Sequence, residues 1–189
     1  MNQVYYNVIF DEQNFKKNIV EKSEFEASSF NNLLFEEAPI NLSKFIDCQF
    51  VECDLSNCKM NMASFRDVEF QNCKMLGVRW DTVNPLLFKT TFKSCILSHS
   101  SFLGMDLTKC SFDKCIFENV ELGEANLSGL VFDDCDFRQS NFESTDLRKA
   151  DFRLAKNFEI NLNENYVKGA KFSRHNIEGI LSHYQLLIE

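Results

Sequence analysis

Apolar residues recur at every fifth position along nearly the whole chain. From Phe10 to Trp80 fifteen consecutive positions at this spacing are apolar: Phe10, Phe15, Val20, Phe25, Phe30, Phe35, Ile40, Phe45, Phe50, Leu55, Met60, Phe65, Phe70, Met75 and Trp80. After a shift of two residues the beat resumes at Leu87 and runs through thirteen further centres to Phe152, so all 29 are apolar. With 44% of the chain hydrophobic, chance would give this with a probability on the order of 10⁻¹⁰. Eighteen of the twenty Phe fall on centres when Phe172 is included. A second inward-facing row precedes each centre by two residues. It is mostly small, as in Ser43, Cys48, Cys53, Cys58 and Ala63, and never charged.

A helix repeats at 3.6 residues and a strand at 2, and neither tolerates a strict five over so many units. A solenoid with flat sides does, if each side takes five residues and the chain turns a corner between sides. Four sides make a coil of about 20 residues, stacked on its neighbours at roughly 4.8 Å. The expectation is an all-β quadrilateral β-helix of about seven to eight coils, a rod roughly 35 Å long. Residues 1–172 form it, with a small insertion near 81–86. Residues 173–189 form a short C-terminal helix and an extended tail. The inward row is closed to charge, which would cost several kcal/mol there unless paired. Only the other three positions of each unit remain for function.

Composition narrows that function. All eight Cys lie in the second inward row. Stacked side chains about 4.8 Å apart are too far for disulfide geometry, so they read as reduced core residues, with no metal site. His99, His175 and His183 are isolated, and no glycine-rich phosphate loop is present, so neither an enzyme nor a cofactor is expected. No apolar run reaches membrane-spanning length and the first residues lack a signal core, which points to the cytoplasm. A net charge of −8 disfavours direct nucleic-acid binding. Between Phe117 and Asp146 eight acids, Glu118, Glu121, Glu124, Asp133, Asp134, Asp136, Glu143 and Asp146, meet only Arg138. They form an acidic belt spread over all four walls, with Glu121, Glu124 and Glu143 gathered on one. From Arg148 to Arg174 seven bases meet three acids.

The unit of small residue, Asp or Asn, Leu or Phe, polar residue and variable residue resembles the pentapeptide-repeat family, and Ala125-Asn126-Leu127-Ser128-Gly129 matches it in every place. The resemblance spans essentially the whole chain and implies a right-handed quadrilateral β-helix. Five of the six Gly (Gly77, Gly104, Gly129, Gly169, Gly179) fall two after a centre, where a corner favours a residue without Cβ strain. Within the family the chain is similar to Qnr quinolone-resistance proteins and the microcin B immunity protein in length, repeats and tail. Met75-Leu76-Gly77-Val78-Arg79 is similar to a Qnr segment. Such relatives bind DNA gyrase or topoisomerase IV and protect it from poisons.

Two features stand outside the beat. Around Trp80, Asp81 and Asn84 the insertion is either an indel at a corner or a recognition loop carrying the only Trp. At the C-terminus Ser173 is placed to cap a helix bearing Ile177, Ile180, Leu181 and Tyr184, followed by Leu186, Leu187 and Ile188. That segment is a lid on the last coil, a homodimer seam, or both. Two functions follow. One is a dimeric, DNA-mimicking binder of DNA gyrase or topoisomerase IV that protects it from quinolones or toxins; the other is a scaffold for an unrelated protein partner.

Overall fold

In the computed structural model, which describes residues 3–184 and 186, each strand pairs in parallel with one about 20 residues further on. On the first wall β1 (Val4–Tyr6) pairs with β3 (Glu24–Glu26), β3 with β5 (Lys44–Ile46), and β5 with the first half of β7 (Ser64–Gln71). On the second wall β2 (Ile9–Phe10), β4 (Ser29–Asn31), β6 (Gln49–Val51), the rest of β7, β8 (Lys89–Lys93), β9 (Ser111–Asp113) and β10 (Phe132–Asp133) follow in order. The third and fourth walls are held by single parallel bridges, such as Ile96 to Ile116 and Glu121 to Asn141. The result is a four-walled parallel β-solenoid.

Phenylalanine spacing explains the stack. On the second wall Phe10, Phe30, Phe50, Phe70, Phe92, Phe112, Phe132, Phe152 and Phe172 lie one above another, with ring centroids 4.5 to 6.1 Å apart. One inward apolar side chain per coil per wall, an aromatic ring on the second wall and often Leu, Ile or Met on the others, fills the interior, and burial of each large side chain stabilises the fold by about 1.5–3 kcal/mol.

The second inward row does more than fit. Cys, Ser and Thr there donate to the carbonyl of a centre one coil below: Cys53 to Phe30 at 3.3 Å, Cys73 to Phe50 at 3.4 Å, Ser100 to Met75 at 2.9 Å and Thr145 to Leu122 at 2.9 Å. A small side chain with a weak donor thus satisfies an inward carbonyl without widening the coil. All eight Cys are buried free thiols. Cys53, Cys73, Cys95, Cys115 and Cys135 form a single column on the third wall. The net gain of two residues between Cys73 and Cys95 places Cys95 over Cys73, with Lys74 bridged to Ile96. Burial pushes the Cys48 thiol up to about 11 and that of Cys58 to about 12, which leaves both protonated and inert at neutral pH.

Corners are made by residues of many types in the left-handed region, none of them β-branched. Leu42 (φ +59°), Met62 (+54°), Glu124 (+58°) and Lys149 (+62°) do what Gly77 (+65°) does elsewhere. Each such non-glycine residue carries roughly 1–2 kcal/mol of local strain. A bond from its own N–H to the next coil offsets this, as from Met62 to Thr82 C=O at 2.9 Å and from Glu124 to Glu143 C=O at 2.8 Å.

Several details depart from the regular beat. Leu87 is not a centre: it is 53% exposed, while Phe88 is 4% exposed and turned into the core. Three residues are gained before Phe88 and one is lost after it, the exposed stretch being Pro85, Leu86 and Leu87, and the ladder shifts register between Arg66 and Val68. Five-residue counting back from Phe92 lands one position off, because the loop hides the compensating deletion. Pro85 is exposed too, and Val83 takes its inward place. Near the other end Phe158 is buried where the beat marks Asn157. Both Phe that miss the beat are thus still core. In the first coil Gln13 and Asn18 face solvent, because that coil has a neighbour on one side only.

The C-terminal segment closes the last coil. Helix α1 (Glu178–Leu181) is not capped by Ser173; Ile177 precedes it without a side-chain cap. Asn176 is the organising residue: its side chain accepts from Ser173 N–H at 2.9 Å and donates to Phe152 C=O at 2.8 Å and Ala155 C=O at 3.0 Å. Gly179 is not at a left-handed corner. It is there because a Cβ would lie 2.2 Å from Phe158 C=O, and its own carbonyl accepts from Ile160 N–H at 2.8 Å. No helix among the described residues is long and apolar enough to cross a membrane.

Candidate protein interface

The fourth wall carries its outward residues in register: Arg79, Ser101, Glu121 and Asn141 lie one above another. From Ser100 to Asn165 no Lys or Arg falls on this wall, whereas Glu121, Glu124, Glu143 and Glu164 do. Glu121 is fixed in place. Its Oε1 accepts from Gly123 N–H at 2.7 Å and from Asn141 Nδ2 at 2.9 Å, and Oε2 from the same amide at 3.1 Å. A Cβ at residue 123 would stand 2.7 Å from that Oε1, so glycine allows the carboxylate to lie along the wall. Asn141 Oδ1 in turn accepts from Glu143 N–H at 3.0 Å.

These side chains line a shallow cavity of about 230 Å³ with Leu103, Glu124 and Ser144. A neighbouring cavity of about 320 Å³ joins Glu143 to Glu159, Asn161, Glu164 and His183 of the closing segment. Among the described residues no ion pair reaches Glu121, Glu124, Glu143, Glu159 or Glu164, and no group of three His, Cys, Asp or Glu is placed to hold a metal.

The rest of the acidic belt is not equivalent. Asp134 on the second wall pairs with Lys156, which holds its carboxyl below the usual range. Asp146 on the first wall is pulled down in the same way by Arg148, whose Nη2 lies 2.5 Å from Oδ2. Asp136 on the third wall has Arg138 at 3.6 Å. Glu118 and Asp133 stand on the third and second walls without an ion pair among the described residues. The eight acids are therefore a fourth-wall cluster plus scattered, partly neutralised groups. Glu164 was missed by counting acids along the chain, yet it stands 40 residues after Glu124, two coils higher on one corner. Glu159 lies where the beat is broken and gives no such signal.

The insertion is organised differently from its sequence reading. Trp80 is wholly buried and stacks on Phe102 with centroids 5.8 Å apart and an interplanar angle of 5°, so it is a core residue and no recognition group. Among the described residues its Nε1 is the one buried side-chain nitrogen or oxygen without a hydrogen-bond partner. Asp81 is held by Arg79, with Nε to Oδ1 at 2.8 Å. Asn84 Oδ1 accepts from Leu86 N–H at 2.9 Å and its N–H donates to Ala63 C=O at 2.8 Å, which anchors the loop. What the loop offers to solvent is Pro85, Leu86 and Leu87, Leu86 being 73% exposed.

At the C-terminal end Ile180 packs on the core, while Ile177, Tyr184 and Leu186 are exposed and Leu181 is half-buried. Leu187 and Ile188 lie outside the described residues.

The pentapeptide repeat region family profile matches residues 23–102 and 105–181, and a profile of eight copies of the pentapeptide repeat matches 87–122. No curated protein matches the chain. Among solved structures, a trypsin-treated variant of QnrB1, a plasmid-mediated fluoroquinolone resistance protein, is similar over 100% of this chain and 98% of its own, with a TM-score of 0.63 and 16% identity. Full-length QnrB1 aligns over 98% of both chains at 14% identity with a TM-score of 0.37. HetL, a pentapeptide repeat protein involved in heterocyst differentiation regulation from the cyanobacterium Nostoc, aligns over 79% of this chain and 85% of its own at 12% identity, TM-score 0.40.

Proposed function

We propose, from the premise that this chain belongs to the pentapeptide-repeat family, that it is a non-enzymatic protein-binding solenoid whose acidic fourth wall occupies the DNA-binding surface of DNA gyrase or topoisomerase IV. The observation that carries this reading is the run of carboxylates on one wall that have no ion pair among the described residues. Glu121, Glu124, Glu143 and Glu164 on that wall, with Glu159 across the cavity they line, span two coil steps, about 10 Å of rod, or roughly one charge per 2 Å. Duplex DNA carries one phosphate charge per about 1.7 Å of axis. A surface built to hold phosphates, rich in Lys and Arg, meets comparable charge here on a rigid support. Direct nucleic-acid binding is disfavoured by the same carboxylates. QnrB1, similar in fold, is a fluoroquinolone resistance protein, which supports protection from that class of poison as the outcome. The protein acts in the cytoplasm, where these enzymes work, and pairs with a second copy through exposed Ile177, Tyr184 and Leu186 at the C-terminal end.

The reading is tested by adding purified protein to gyrase supercoiling and fluoroquinolone cleavage assays. Inhibited supercoiling, or fewer drug-stabilised breaks, at micromolar protein is the expected result. No effect at tens of micromolar would remove topoisomerase from the account. One observation favours the second reading, a scaffold for another protein. Leu42, Met62, Leu86 and Leu87 are all exposed along the corner where the insertion rests on Met62 and Ala63, an apolar strip with no role in DNA mimicry.

A further inference from the structure

The two ends of the solenoid are built differently. Asn176 and Gly179 close the C-terminal coil through the carbonyls and amides already described. At the other end, among the described residues, β1 and β2 are the outermost strands of the sheet, and each pairs on one side only. The ladder to β3 uses Gln3 C=O, which accepts from Glu24 N–H at 2.8 Å, and Asn7 N–H, which donates to Glu26 C=O at 3.0 Å. The ladder to β4 uses Val8 C=O, which accepts from Ser29 N–H at 2.9 Å. Bonded groups alternate along a strand of this kind. The N–H and C=O of Val4 and Tyr6, and the N–H of Ile9, therefore point off the end of the rod. Val4, Tyr6 and Ile9 are 68%, 68% and 66% exposed. Gln3–Phe10 contains no charge and no proline, the devices that usually blunt a free edge.

The shape of this edge selects its occupant. β1 has three residues and β2 two, on adjacent walls that meet at Asn7 and Val8. A straight strand from another protein can pair with only one of them. A partner for both must itself carry two short strands turned through the same corner, and a second copy of this chain does. A twofold axis through that corner, perpendicular to the rod, lays β1 of one copy antiparallel on β2 of the other and repeats the pairing by symmetry. Tyr6 then faces the partner's Ile9, twice. Ile9 C=O already accepts from Asn14 Nδ2 at 2.8 Å and keeps its second lone pair for Tyr6 N–H. The uncharged run meets itself with no like charges opposed.

We propose that the N-terminal coil edge, Gln3–Phe10, is a self-association surface that joins two copies end to end through antiparallel β1–β2 pairing. One coil end falls below the roughly 1,200 Å² of a stable interface, so the contact depends on concentration. It is independent of the C-terminal seam proposed above.

The register is read by disulfide trapping. All eight native thiols are buried and do not compete, so Tyr6→Cys and Ile9→Cys proteins are mixed near 100 μM and mildly oxidised. A cross-linked species of about twice 22.0 kDa, several-fold more abundant in the mixture than in either variant alone, is the expected result; a mixture yielding no more than the separate samples overturns the pairing. Sedimentation velocity separates the two ends. Tyr6→Lys with Ile9→Lys, both at exposed positions, abolishes an association that Ile177→Glu with Tyr184→Glu leaves in place. If the lysine variant, with an unchanged thermal melt, sediments like the parent at every concentration, the N-terminal contact is refuted. If only the glutamate variant sediments like the parent, the C-terminal seam fails and the N-terminal contact stands.

Discussion

Phe92→Ala is expected to lower the unfolding free energy by about 3–5 kcal/mol, read as a fall in the urea midpoint. Phe92 is fully buried, with its ring 5.3 Å from Phe70, 5.0 Å from Phe112 and 5.4 Å from Trp80. The vacated space cannot close, because β8 is fixed by ladders to β7 and β9 on either side. In a solenoid each coil is stabilised by its two neighbours, so a weakened middle coil uncouples the halves. The informative comparison is Leu87→Ala. Five-residue counting marks Leu87 and Phe92 equally as core, but the exposed Leu87 should cost no more than about 0.5 kcal/mol. Equal losses at both positions would contradict the register of the insertion.

Reversing Glu121, Glu124 and Glu143 together to Lys is expected to weaken topoisomerase binding by about 100-fold. Exposed charges contribute up to about 1 kcal/mol each, and reversal replaces attraction by repulsion at three neighbouring points. The dependence of affinity on salt should flatten as well, since the screened attraction is the part removed. Thermal stability should fall by about 1–3 kcal/mol, because Lys at position 121 leaves Gly123 N–H and the Asn141 amide without the carboxylate they donate to, while Glu124 and Glu143, in no ion pair among the described residues, contribute little. Glu118→Lys, on the third wall, is the control: binding measured by titration calorimetry should stay within about twofold.

The five-residue beat made the solenoid legible because one constraint repeats in every unit: two inward side chains and three outward, with the next coil about 20 residues on. Cysteine placement followed from the same rule. The insertion did not, because Leu87 keeps the period while Phe88 keeps the packing, and only a structure shows which prevails. Burial won: a phenylalanine in the core outweighs a leucine in regular count. Trp80 was equally ambiguous, being both on the beat and beside the loop, and the stack with Phe102 decides it. The candidate interface was half legible. Glu121, Glu124 and Glu143 fall on one wall by counting in twenties. Pairing of Asp134, Asp136 and Asp146 with bases, and the arrival of Glu159 and Glu164 beside Glu143, depend on side-chain geometry and on the broken beat after Phe152. Asn176 gave no signal at all, since its task is to satisfy carbonyls that exist only once the last coil has formed.

The most direct test of the acidic-wall account is competition. Labelled protein bound to gyrase is titrated with a short linear duplex at fixed ionic strength. Displacement in proportion to duplex concentration, with one ligand excluding the other, is the predicted result; a stable ternary complex, with protein and duplex bound at once, would contradict it.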